Sequence, residues 1–66
     1  MDPNILKGKW NQIKGEIKMK WADLTDNDLA RVEGSEDKLV GLLQEKYGYS
    51  RDKAKQEIQK FMNRYM

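Results

Sequence analysis

The stretch KGKWNQIKGEIKMKW, Lys7 to Trp21, decides how this chain folds. From Leu6, just before it, to Leu24, three residues after it, apolar side chains fall at Leu6, Trp10, Ile13, Ile17, Trp21 and Leu24. That spacing keeps to one face of a helix of period about 3.6, and it predicts a first helix over 4–22. Asp2-Pro3 reads as its start. Asp2 is suited to accept first-turn N–H groups, and Pro3 has no N–H to leave unpaired at the first helical position. Two glycines, Gly8 and Gly15, interrupt the run. They share a face opposite the apolar stripe, and each costs roughly 1 kcal/mol against alanine in a helix interior.

Working outward, each later segment carries its own start and stop. Thr25 with Asp28 three residues on approaches a capping box and opens a short helix over 26–33, which Gly34 closes. Acidic Asp26 and Asp28 suit the positive end of its dipole. Ser35 caps a third helix over 36–47, with Leu39, Val40, Leu42, Leu43 and Tyr47 on its apolar face and Gly48 after it. Gly41 lies opposite that face. Tyr49 is placed to pack back on the last turn near Leu43. Ser50 caps a fourth helix, in which Ala54, Ile58, Phe61 and Tyr65 recur on one side. No segment alternates with period two, so no strand is expected. The fold class is all-α: a small four-helix bundle, built as two crossed, near-orthogonal helical hairpins, with 1–66 as a single domain.

Composition narrows the chemistry. Sixty-six residues with 36% charged side chains make a modest core, and a domain of this size has only about 3–5 kcal/mol of net stability. Thirteen basic against eleven acidic residues leave +2; this near balance argues against disorder, which needs high net charge. Cysteine and histidine are both absent, which removes thiol chemistry and the usual general base and zinc ligands. Thr25, Ser35 and Ser50 stand where caps are needed, with no histidine to activate them. The glycines fit neither a dinucleotide fingerprint nor a phosphate loop. The acidic cluster DLTDND invites a calcium reading. Counted from Asp23, however, position six is Asp28 and position twelve is Gly34, where an EF-hand needs glycine and glutamate. The expectation is therefore no catalytic residue, no metal and no cofactor. MDPN lacks the features of a signal peptide, and LVGLL is too short to span a bilayer, so a soluble cytoplasmic protein is expected.

The charges are uneven along the chain. Residues 1–22 hold Lys7, Lys9, Lys14, Lys18 and Lys20 against Asp2 and Glu16, a balance of +3, whereas 23–66 total −1. Lys7, Lys14 and Lys18 line one edge of the stripe. They read either as a solvated rim covering apolar surface or as contacts for nucleic-acid phosphates. A membrane surface would require the stripe to leave the core. Lys7, Gly8, Lys14, Gly15 and Lys18 are thus the candidate face for a partner or polyanion. The outward Gly8, Gly15 and Gly41 either have no partner or admit one closely, whether a helix of another protein, a second copy of the chain or a ligand.

The ordered set of motifs W…IKGEIKMKWADLTDND, EG, DKLVGLLQEKYGY and a later alanine closely resembles the CsbD-like family of small bacterial stress-response proteins. The matching positions are Trp10, Lys14, Gly15, Lys18, Trp21, Leu24, Thr25, Asp26, Asp28, Glu33, Gly34, Asp37, Leu39, Gly41, Gln44, Tyr47, Gly48 and Ala54, within a span from Gly8 to Glu57. Ala22 departs from the glycine usual there. The resemblance implies a small helical cytoplasmic protein of the general stress response, with no assigned enzymatic activity and no catalytic or ligand residues to carry over. Together with the missing catalytic residue types it leads to the expectation of a non-enzymatic protein acting by binding or protection. The alternative reading from the lysine edge is a nucleic-acid-binding module.

Overall fold

A computed structural model describes the backbone of residues 3–65 and the side chains of residues 4–64. It is all-helical, with five α-helices rather than four and no strand among the described residues. They are α1 (Pro3–Gly8), α2 (Trp10–Lys20), α3 (Asp26–Val32), α4 (Glu36–Tyr47) and α5 (Arg51–Met62), with a terminal 3-10 turn at Asn63–Tyr65. The proposed cap Asp2 and the side chain of Tyr65 lie outside the described residues.

The expected first helix is broken. Lys9 leaves helical geometry at φ −110° and ψ 20°, immediately after Gly8, whose weak helical preference makes this the easiest place for the axis to turn. The break is one residue wide and hydrogen-bonded across: the Lys9 N–H donates to the Ile5 carbonyl at 3.0 Å, and the Lys9 carbonyl accepts from Gln12 and Ile13 at 3.0 and 2.9 Å. The apolar stripe survives it. Leu6, Ile13 and Ile17 are fully buried, with Trp21 and Leu24 nearly so.

The three hydroxyl caps hold. Thr25 and Asp28 make a reciprocal capping box, with Asp28 N–H to Thr25 Oγ1 and Thr25 N–H to Asp28 Oδ2 both at 3.1 Å. Ser35 Oγ accepts from Lys38 N–H at 3.3 Å, and Ser50 Oγ from Lys53 N–H at 3.1 Å. Gly48 closes α4 in the left-handed conformation, φ 68°. At the end of α3 the left-handed cap is Glu33, φ 49°, rather than Gly34. Gly34 follows at φ 81° and also makes room for α1, because a β-carbon there would stand 2.8 Å from Lys7 Cα. The turn between α3 and α4 therefore carries the α1 backbone against its bare glycine.

Leu29 and Val32 of α3, Leu39, Val40, Leu42 and Leu43 of α4, and Ala54, Ile58, Phe61 and Met62 of α5 complete the core. Met62 was not among the expected core residues, although it lies four residues after Ile58. Trp21 meets Phe61 with tilted rings 5.6 Å apart, tying α2 to α5. Tyr49 packs on the core and stacks on Tyr47, with centroids 5.6 Å apart. Tyr47 Oη accepts from the Asp23 N–H at 3.2 Å, which fixes the loop between α2 and α3 to the end of α4.

Gly8, Gly15 and Gly41 all face open space, with nothing within 4 Å of a β-carbon built on any of them. Gly15 and Gly41 lie inside unbroken helices with no positive φ. Gly15→Ala and Gly41→Ala should each stabilise the folded chain by about 1 kcal/mol, a rise of about 4–8 °C in Tm. A thermal melt measures it, and a fall in Tm would mean these positions are not open.

Candidate binding face

Three of the five candidate residues come together. Lys14, Gly15 and Lys18 of α2 line a cleft of about 200 Å³ with Trp10, and Asp26, Leu29 and Ala30 of α3 form the opposite wall. Trp10 is half-buried here rather than sealed in the core. The i, i+4 spacing of Lys14 and Lys18 puts both on the rim, and Gly15 leaves bare backbone between them. Lys18 Nζ donates to Asp26 Oδ1 at 2.9 Å. That bond, then the Lys18 charge, holds the Asp26 carboxyl below its ordinary value of 3.8, with Lys14 contributing.

The other two candidates are elsewhere. Gly8 ends α1 beside the break. Lys7 lines a separate hollow with Asn4, Gly34, Ser35, Glu36 and Asp37, whose other charged side chains are acidic. The register that placed it with Lys14 and Lys18 is lost at Lys9.

On the far side of α3, Asp28 is the one buried charge among the described residues, its side chain 5% exposed. Beyond its capping bonds it pairs with Arg31 and, at 3.7 Å, with Lys46 of α4. The Thr25 backbone N–H is the main cause of its lowered pKa; Arg31 and Lys46 add to the effect and burial opposes it. The sequence showed the cap but held no sign of the lysine eighteen positions away.

Because Asp26 and Asp28 titrate lower when folded than the ordinary 3.8, their stabilisation is present above that value and is lost as pH falls through the folded value. Denaturant melts should therefore show stability falling below about pH 4. Asp28→Asn should lower stability at neutral pH and flatten the acid limb. An unchanged limb in that variant would remove Asp28 from the explanation.

Among the described residues no group of three or more carboxylates, histidines or cysteines is placed to hold a metal ion, and no helix is long and apolar enough to cross a membrane. The fold and face define a small all-helical protein with a basic, aromatic-walled cleft and no histidine or cysteine. The chain belongs to the CsbD-like family, whose sequence profile matches residues 4–56. It is 48% identical to the UPF0337 protein PA4738 of Pseudomonas aeruginosa over 64 residues, 97% of this chain and 98% of that one. It is 42% identical to a UPF0337 protein of Bordetella pertussis over 64 residues, 97% of each chain. It is 46% identical to the UPF0337 protein YjbJ of Escherichia coli K12 over 58 residues, 88% of this chain and 84% of that one. None of these names states an enzymatic activity. No solved structure matches the chain.

Proposed function

We propose that this CsbD-like protein works in the cytoplasm in the general stress response, by binding and without catalysis, and that the Lys14–Gly15–Lys18 face receives the partner. The observation that carries the reading is Gly15. It sits in the middle of α2 with open space where its side chain would be, in a helix it weakens by about 1 kcal/mol. The fold makes no internal use of that bare backbone, whereas a partner lying against α2 does. The lysines on either side of it and the half-buried Trp10 supply charge and apolar surface to the same cleft. With neither histidine nor cysteine in the chain, binding is the role its residue types serve most readily.

The test uses cells lacking their own copy of the protein and supplied with Lys14→Gln/Lys18→Gln. The variant should accumulate as the parent does and fail to restore survival under stress. Full restoration overturns the assignment of the face. A reproducible turnover abolished by one substitution overturns the non-catalytic reading.

A further inference from the structure

The face has a second flank. Asn11, Gly15 and Met19 follow one another on α2 at four-residue steps, which places them in one row, and all three are exposed, Met19 at 83%. This row is an uncharged ridge between two hollows. On the α3 side lie Lys14 and Lys18. On the α5 side, a wider hollow is lined by Glu16, Lys20, Lys60, Phe61 and Arg64. Cations therefore stand along both sides of the same exposed helix.

The acidic groups nearby are weak competitors. Lys18–Asp26 at 2.9 Å, Arg64–Glu16 at 3.3 Å and Lys60–Glu57 at 3.9 Å are pairs whose cations are 49%, 62% and 76% exposed. Pairs this exposed are weak, and phosphate oxygens are able to replace the carboxylates. Lys14 and Lys20 have no ion-pair partner among the described residues. The segment covering α3 and α4 has the opposite sign: residues 26–47 hold six acidic side chains against three basic ones.

We propose that α2 enters the major groove of duplex DNA, its uncharged ridge toward the base pairs and its two cationic flanks on opposite phosphate strands. The inference rests on the binding face proposed above and names its partner. A helix about 10–12 Å across matches a groove about 12 Å wide. The phosphate strands on both walls answer the cations on both flanks, whereas a single strand engages only one flank. A lipid surface calls for Trp, Phe and Leu on the inserted face; the ridge offers Met19 alone. Of the ridge residues, only the Asn11 side chain can hydrogen-bond to base edges, so binding is nearly independent of sequence.

The test titrates the full chain with a labelled mixed-sequence DNA duplex, its single strand, and vesicles containing an anionic phospholipid. Duplex affinity should exceed that for the single strand and fall about 50-fold between about 50 and 200 mM salt, as for three to four phosphate contacts. Lys14→Gln/Lys18→Gln and Lys20→Gln/Lys60→Gln, shown to be folded by circular dichroism, should each weaken duplex binding about 10-fold or more and make the salt dependence shallower. Lys38→Gln, on α4, should leave both unchanged. Absence of duplex binding at low salt, or a loss confined to one flank, overturns the inference. Preference for the single strand or for vesicles also overturns it, but leaves the face standing if Lys14→Gln/Lys18→Gln abolishes that binding. Duplex binding that survives neutralisation of both flanks overturns inference and face together.

Discussion

Gly34→Ala should be among the most damaging single-methyl additions in this chain, lowering Tm by about 10–20 °C. Two costs combine. The residue sits at φ 81°, where a β-carbon costs about 1–2 kcal/mol. The new methyl would also stand 2.8 Å from Lys7 Cα and 3.5 Å from the Leu6 carbonyl oxygen. Those are backbone atoms, which cannot swing aside as a side-chain tip can, so α1 must shift as a whole and lift Leu6 from the core. The expected total is about 2–4 kcal/mol, against about 3–5 for the whole domain. Gly48→Ala is the built-in control. Its φ is 68°, but nothing lies within 4 Å, so it should show the conformational cost alone, about 1–2 kcal/mol. Equal melting temperatures for the two variants would show that the contact with Lys7 contributes nothing. In a Leu6→Ala background, with α1 held less firmly, Gly34→Ala should cost less, as coupled neighbours do.

Trp21→Ala is the other large loss. The indole is 3% exposed and joins α2 to α5 through Phe61. Removing it takes away its buried area and leaves a cavity between the two helices, at about 3–5 kcal/mol, which equals the stability of a domain this size. The variant should have lost most of its helical circular dichroism at 25 °C. Trp21→Phe keeps a ring beside Phe61 and should remain folded. A Trp21→Ala protein with native helicity and a cooperative melt near the parent's would show that the α2–α5 junction does not depend on this ring.

The signals legible in the sequence were local. Thr25, Ser35 and Ser50 are each recognisable because a cap needs one hydroxyl at one position, three residues before the N–H it binds. The core faces of α2 to α5 follow from periodicity, and Met62 was within reach of that rule. The break at Lys9 was not, because Leu6, Trp10 and Ile13 keep helical spacing across it: a side-chain pattern is blind to one residue's φ and ψ. The role of Gly34 depends on α1 passing over the α3–α4 turn, a meeting of segments 27 positions apart. The candidate face was legible in part for the same reason. Lys14, Gly15 and Lys18 share an unbroken helix and stay together; Lys7 lies before the break and does not. Lys60 and Arg64 lie more than forty positions from Lys14 and Lys18 in the sequence, and only the packing of α5 on α2 brings them to the same face.

One consequence concerns time rather than affinity. The principal packing partners are neighbours along the chain: α1 with α2, α3 with α4, and α4 with α5. Few distant segments must find each other before burial begins, and chains of this topology fold in microseconds to milliseconds. A protein with little stability to spare but this topology is therefore one that regains its fold almost at once when a transient denaturing insult passes.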